Sequence, residues 1–235
     1  MEGSTGILML QGSQGNYLEE PGFIPVRLLT EIFSEPGLKA VIIKGSGRHF
    51  SAGASLDHLK KLSTDEALMM EKMNMGKELL RMIDSADIPV AAEINGVCFG
   101  GGLEIALACH FRICSENALF AFPEVNYGIM PGLGGTIRLS RLIGPGKAAR
   151  MILSGDIFDA AQALELRLVD NRVPAPELHI STLNFLNKLT EGREIAVIHS
   201  VMKSIRNSFT MVTDKALEEE TRLFCALAAS NFITE

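Results

Sequence analysis

The sequence predicts an α/β domain followed by a helical region. Short runs rich in β-branched residues alternate with longer helical patterns through the first part of the 235 residues. After the breaker Gly-Pro-Gly at 144–146, every pattern is helical. Alternating strands and helices are typical of α/β domains, and the helical last third predicts a subdomain packed on that domain.

The individual elements follow from periodicity. Residues 40–43, Ala-Val-Ile-Ile, form a continuous apolar run, as expected for a strand that is buried on both faces. Asp65 to Ile83 has apolar residues near helical spacing with charges between them, which predicts an amphipathic helix. The other predicted strands are 7–10, 89–94, 111–114 and 118–122, and the other predicted helices are 100–108, 147–154, 160–168, 179–190, 194–208 and about 211–230, with a further helix ending over 28–33.

Composition excludes several classes of function. The net charge of −6 and the absence of a basic stripe argue against nucleic-acid binding. No signal peptide and no run of about 18 apolar residues is found, so we expect neither secretion nor a membrane span. The four cysteines form no CxxC pair and the five histidines have no metal-ligand spacing, so no metal is expected. Buried free thiols fit a reducing compartment, and we expect a cytoplasmic protein.

Three glycine-rich segments follow strands, at 45–56, 95–104 and 122–136. Small residues let a ligand approach the backbone, and a helix N-terminus leaves N–H groups without intrahelical partners. Two such ends side by side can direct two N–H groups at one oxygen that gains negative charge. The alternative is tight packing alone. The GxGxxG, GxxxxGK[ST] and GxSxG motifs are absent, which argues against dinucleotide, P-loop and hydrolase sites.

Two glutamates stand in these segments. Glu104 lies in the first turn of the predicted helix 100–108, where the helix dipole favours a carboxylate. Glu124 follows Pro123 after a predicted strand. Taken alone, the first is also an ordinary helix-start acid and the second a surface turn acid.

Taken together, the three segments resemble the crotonase family, the enoyl-CoA hydratases and isomerases. The matching strings are FSAGASL from residue 50, NGVCFGGGLEIALACHFRIC from residue 95, and FAFPEVNYGIMPGLGGTIRLSRLIG from residue 120. They occur in the family's order and near its usual separations. The similarity extends more weakly over residues of about 10 to 230.

The resemblance implies a crotonase-type spiral of repeated ββα units over residues 1–175 and a helical C-terminal region over 176–235, through which family members form trimers or hexamers. It implies an oxyanion hole made by the N–H groups of Ala54 and Gly101, with Glu104 and Glu124 as catalytic carboxylates. It also implies a coenzyme A thioester as the substrate, with no prosthetic group. The remaining substrate-binding positions that it implies are Ala52, Ser55, Leu56, Gly100 and Gly132.

Hydration of a 2-enoyl thioester, or the reverse dehydration, is the leading hypothesis, because both acids are present. The oxyanion hole would stabilise enolate character, Glu104 would act as a general base on water and Glu124 would protonate C2. Environment is then expected to push the pKa values of the two acids apart. An isomerase using one glutamate ranks second, and decarboxylation or C–C cleavage third. A non-catalytic binder would need neither acid.

The chain departs from the family pattern in the first glycine-rich segment and in the N-terminal segment, where basic residues of the family ordinarily help to hold CoA phosphates. Ser55 stands where most members have an aspartate, with the lysines only at Lys60 and Lys61. The segment 11–20 has no basic residue. These differences raise the hypothesis that the acyl group arrives on a carrier protein. The methionines of the 65–86 helix are expected to fill the core or to line the acyl pocket: Met69, Met70, Met73, Met75 and Met82.

Overall fold

A computed structural model of the chain describes residues 1–12, 15–19 and 24–232. Ser13, Gln14 and Glu20, part of the segment without basic residues, lie outside the described residues. The strands that it describes are β1 (Thr5–Leu10), β2 (Ala40–Gly45), β3 (Val90–Ile94), β4 (Val97–Phe99), β5 (Phe111–Ser115), β6 (Leu119–Ala121), β7 (Phe158–Asp159) and β8 (Asn171–Val173).

The helices account for most of the remaining chain. Two short 3-10 helices occupy Pro123–Tyr127 and Ala175–Glu177. The α-helices are α1 (Val26–Phe33), α2 (Leu56–Leu62), α3 (Glu66–Asp84), α4 (Gly101–Ala108), α5 (Gly135–Ile143), α6 (Pro145–Ser154), α7 (Ala160–Glu165), α8 (Leu178–Thr190), α9 (Ile195–Thr210) and α10 (Thr213–Phe232). In the part of the chain that the structure describes, no helix has both the length and the apolarity to cross a membrane.

The larger sheet has the order β1-β2-β3-β5-β8, and all of its pairs are parallel. Ala40 and Ile42 face a cluster that includes Leu186 of α8, whereas Val41 and Ile43 face the main core. Successive side chains of a strand point to opposite faces, so β2 must be apolar throughout when both faces are covered. The predicted double burial of residues 40–43 is confirmed.

The chain winds through two sheets in a spiral. In each of the pairs β3/β4 and β5/β6, the first strand joins the larger sheet, the second joins the small sheet β4-β6-β7, and a helix follows. Ser51, after β2, forms an isolated parallel bridge with Cys98 of β4 and adds a third, rudimentary unit. The predicted α/β fold of ββα units with a helical C-terminal region is thereby confirmed.

The C-terminal helices cover the sheet unequally. Helix α8 packs against β2, β3 and β5, although the predicted boundary at residue 175 assigns it to the helical region. That division into 1–175 and 176–235 stays a prediction. Helix α9 buries Ile198 in the main core and pairs Arg206 with Asp87 at 2.7 Å, whereas no described residue of α10 is buried.

One predicted helix ends early for a clear physical reason. Helix α7 stops at Glu165 rather than continuing to 168, because Arg167 takes a left-handed conformation with φ of 61°. The Leu168 N–H donates to the Ala163 carbonyl at 2.8 Å and the Arg167 N–H to the Leu164 carbonyl at 3.0 Å. These two bonds form a Schellman end, at which glycine is the usual residue.

Several short elements have no counterpart in the sequence prediction. Strands β4, β7 and β8 have two or three residues each, too few for a periodic pattern to register. Helices α2 and α5 begin at the ends of glycine-rich segments, which sequence reasoning treats as turns. The predicted strand 118–122 is shortened to Leu119–Ala121, because Pro123 opens a 3-10 helix directly after it.

Candidate active site

A cavity of about 200 Å³ lies between α2, α3, the start of α4 and the loop that precedes α5. Every site position predicted from the sequence lines it, including the two glutamates and the two N–H donors. The spiral explains this convergence, because each glycine-rich segment follows a strand and the strands lie side by side. The predicted positions that line the cavity are Ala52, Ala54, Ser55, Leu56, Gly100, Gly101, Glu104, Glu124 and Gly132.

Two backbone N–H groups meet at the polar end of this cavity. The Gly53 carbonyl and the Ser55 N–H bond to the backbone of Leu18, so the intervening Ala54 N–H points away from Leu18. Gly101 is the first residue of α4, and its N–H precedes the intrahelical bonds. A β-carbon on Gly101 would lie 3.9 Å from Ala54 N, which shows how closely the two segments approach. Neither N–H donates a hydrogen bond to another of the described residues.

The Ala54 segment is held by buried polar side chains. Asn16 is 4% exposed, and its amide donates to the carbonyls of Ser46 at 2.9 Å and His49 at 2.8 Å. The Ser51 hydroxyl donates to the Asn16 carbonyl at 2.7 Å and accepts from the Gly53 N–H at 3.1 Å. Satisfied buried hydrogen bonds of this kind fix a backbone rigidly. Sequence reasoning missed Asn16, because its partners lie 30 or more residues away.

Glu104 lies in α4, and its side chain is only 2% exposed. Its Oε1 accepts two backbone hydrogen bonds of 2.7 Å, from the Leu133 N–H and the Gly135 N–H. No described residue donates to its Oε2. One carboxylate oxygen is therefore fixed by the loop before α5, and the other remains available to a ligand in the cavity.

Glu124 enters the cavity from the 3-10 helix Pro123–Tyr127. Its Oε2 is buried and has no hydrogen-bond partner among the described residues. A β-carbon on Gly100 would lie 2.9 Å from Glu124 Oε1, and Gly100 has φ of 50°. Both facts require glycine at position 100. A buried, unpartnered carboxyl oxygen is costly unless a ligand completes it, so this atom marks a functional group.

Burial is the main cause of raised pKa values at both acids. It raises the pKa of Glu104 to about 7, while the Gly135 and Leu133 N–H groups lower it and the charge of Glu124 raises it. Burial likewise raises the pKa of Glu124 to about 7, against its own backbone N–H. The expected separation of the two pKa values is not seen in this site. The negative charge of Glu124 disfavours ionisation of Glu104, so the pair is expected to pass through a singly protonated form.

The methionines of α3 divide between cavity and surface. Met69 and Met73 line the cavity, and a β-carbon on Gly132 would lie 2.4 Å from Met73 Cε. Met70 and Met75 are exposed instead, and Met82 packs against the core. The expectation that these methionines fill the core or line the pocket is thus met by Met69, Met73 and Met82 but not by Met70 and Met75, because only residues on the same helical face, such as i and i+4, meet one cavity.

A second cavity of about 400 Å³ adjoins the first and shares Ala52, Ala54, Leu56 and Tyr127 with it. It adds both Tyr17 and His49 to the lining, together with Phe99. No lysine or arginine lines either cavity within residues 1–12, 15–19 and 24–232. Over the same residues, no group of three or more His, Cys, Asp or Glu side chains is arranged to hold a metal ion.

Known proteins are similar to this chain in sequence and in fold. The chain is 38% identical over 170 residues to a crotonyl-CoA hydratase of Syntrophomonas wolfei, which covers 72% of this chain but only 65% of that relative. It is 36% identical over 198 residues to a short-chain-enoyl-CoA hydratase of Clostridium acetobutylicum, covering 84% of this chain and 75% of the relative.

Solved structures agree. The crystal structure of an enoyl-CoA hydratase from Bacillus anthracis matches with a TM-score of 0.86 at 30% identity, covering 94% of this chain and 86% of that one. A structure from Geobacillus kaustophilus matches with a TM-score of 0.91 at 28% identity, covering 98% and 88%. The family model described as "Enoyl-CoA hydratase/isomerase" matches residues 26–235. The chain therefore belongs to the enoyl-CoA hydratase/isomerase family of enzymes.

Proposed function

We propose that this enzyme adds water across the C2=C3 bond of a 2-enoyl thioester, or removes water in the reverse direction. The observation that carries the proposal is the shared cavity: two carboxylates and two unpaired backbone N–H groups border one small space. An isomerase needs only one acid to shuttle a proton, and a binding protein needs none. The names of the relatives support hydration.

The residues divide the chemistry as follows. The thioester oxygen accepts hydrogen bonds from the Ala54 and Gly101 N–H groups, which stabilise the negative charge that develops on it; each donor contributes about 3 kcal/mol. The carboxylate of Glu104 takes a proton from water as its oxygen bonds to C3. The carboxyl group of Glu124 gives its proton to C2. The pair gains one proton and loses one, so its total charge is unchanged over the reaction.

This division requires the singly protonated pair, and we therefore expect a bell-shaped dependence of kcat/KM on pH. Activity falls at low pH when Glu104 is protonated, and at high pH when Glu124 loses its proton. Both pKa values are raised to about 7, so the maximum is expected near neutrality rather than near pH 4. Initial rates between pH 5 and 9 measure the profile. A rate that stays flat across that range contradicts the role of the pair.

A carrier-bound acyl group is the second candidate substrate. Coenzyme A carries more phosphate charge than the phosphopantetheine arm of a carrier protein, and phosphate is ordinarily held by Lys and Arg. Among the described residues, no lysine or arginine lines either of the two adjoining cavities, and Lys60 and Lys61 lie exposed on α2. The names of two relatives, crotonyl-CoA hydratase and short-chain-enoyl-CoA hydratase, instead specify CoA thioesters and favour coenzyme A.

One panel of substrates tests both questions. The enzyme is mixed separately with crotonyl-CoA, with the crotonyl thioester of a carrier protein and with a 3-enoyl thioester. The enone absorbance is followed in each case. Loss of absorbance supports hydration, whereas a gain from a 3-enoyl thioester identifies an isomerase. Faster turnover of the carrier-bound form supports the second candidate, and equal or faster turnover of the CoA form removes it.

We further propose that the chain assembles into homotrimers or hexamers in the cytoplasm. Phe209 of α9 is 66% exposed, and Leu217 and Phe224 of α10 are 55% and 68% exposed. Exposed apolar surface of this extent on packed helices commonly marks a protein–protein interface. A second copy of the chain is the occupant that the family resemblance favours. Sedimentation equilibrium tests the assembly, and a mass of one subunit contradicts it.

A further inference from the structure

Arg138 of α5 makes a partly buried clamp outside the catalytic cavity. Its Nε and Nη2 donate to Asp84 Oδ2, at 3.0 and 2.7 Å, and its Nη1 donates to the Leu133 carbonyl at 2.9 Å. Asp84 is the last residue of α3. The guanidinium therefore connects the end of α3 to the loop that precedes α5.

The same loop holds Glu104. Leu133 accepts from Arg138 through its carbonyl and donates to Glu104 Oε1 through its N–H. Gly134 makes the close approach possible, because a β-carbon there would lie 2.5 Å from Arg138 Nη1. Gly135 supplies the second N–H to the same oxygen. Each link is a normal or short hydrogen bond, so displacement of the guanidinium must move the two donors.

We propose that Arg138 is a positioning residue for Glu104, fixing the Leu133–Gly135 segment so that its two N–H groups hold Oε1 and leave Oε2 to the reacting water. The role of the water rests on the proposed function. Arg138 does not line the catalytic cavity, so it acts through the loop rather than on the substrate. Its positive charge also lowers the pKa of Glu104, against the larger effect of burial.

The test compares Arg138→Met with Arg138→Lys. Methionine removes the charge and all donors, and we expect kcat to fall about 10- to 100-fold with KM near its wild-type value, because misplaced catalytic groups cost rate rather than binding. The acid limb of the pH profile moves to higher pH, since Glu104 loses a nearby cation and firmly held donors. Lysine keeps the charge but cannot reach both the Asp84 carboxylate and the Leu133 carbonyl. We therefore expect the acid limb and the kcat of Arg138→Lys to lie between those of the wild type and those of Arg138→Met.

Arg141→Met is the matched control. Arg141 lies one turn further along α5, is exposed and forms no ion pair with the described residues. It removes the same charge without touching the loop, so its pH limb stays in place. If Arg138→Met only lowers the melting temperature and leaves the limb unmoved, or if Arg141→Met moves the limb equally, the proposal is overturned.

A second readout separates this inference from the proposed function. Titration of ¹³C-labelled glutamate carboxyls by NMR, assigned with Glu104→Gln, follows Glu104 without any substrate. The proposal expects its pKa to rise in Arg138→Met and to rise less in Arg138→Lys. If the wild type hydrates no thioester, the proposed function fails, yet this titration still decides the role of Arg138. An unchanged pKa in Arg138→Met overturns that role.

Discussion

Replacing Glu104 or Glu124 by glutamine is expected to slow hydration of a 2-enoyl thioester by about 10²–10⁴-fold in each case. Glutamine keeps the shape of the side chain but cannot accept or release the proton. At position 104 the amide oxygen can still accept from the Leu133 and Gly135 N–H groups, so the fold survives. At position 124 the amide puts one uncharged polar group in the place of another, and the buried Oε2 had no partner to lose, so stability is retained.

The measurement is kcat and KM for each single variant and for the double variant, with melting temperatures alongside. The two acids act together in one reaction, so the double variant is expected to be little slower than either single variant. Glu116→Gln is the control, because Glu116 is an exposed glutamate directly after β5. Full activity of Glu104→Gln on the true substrate would exclude the two-acid mechanism and favour an isomerase that uses one acid.

The sequence contains enough to predict the strands and the glycine-rich ends that follow them. Residues 40–43 are apolar at every position because both sheet faces are covered, and Gly100 is glycine because Glu124 Oε1 would meet any side chain there. Such requirements act on one residue at a time and so leave a local signal. The resemblance to a family added the pairing of the two glutamates, which no spacing along the chain reveals.

The remaining features depend on partners that are distant in the sequence. Asn16 donates hydrogen bonds to backbone carbonyls beyond residue 45, and Arg138 joins a loop to Asp84, 54 residues earlier. The burial that raises the pKa values of both glutamates comes from the packed spiral rather than from neighbouring residues. Arg167 stands where a glycine commonly closes this helix in the family that the chain resembles, and the Schellman hydrogen bonds form around the arginine despite its side chain.

The oxyanion hole has no side chain to remove, and Gly53→Ala tests it by separating its two donors. A β-carbon on Gly53 would lie 2.7 Å from the Phe99 carbonyl oxygen and 3.4 Å from Gly101 N, so it acts as a wedge between the Ala54 segment and the start of α4. We expect kcat to fall about 10²–10³-fold, the loss found when one oxyanion donor is removed. The carboxylates remain in place, so the pH profile keeps its shape.

Gly47→Ala provides the matched control for backbone strain. Gly53 has φ of 86° and Gly47 has φ of 72°, so alanine is strained at both positions by roughly 1–2 kcal/mol. A β-carbon on Gly47 meets no atom within 4 Å, whereas the one on Gly53 meets backbone. Both variants are therefore expected to lose some stability, and only Gly53→Ala to lose the rate. Equal kcat values for the two variants would mean that the Ala54 and Gly101 N–H groups do not act together on the thioester oxygen.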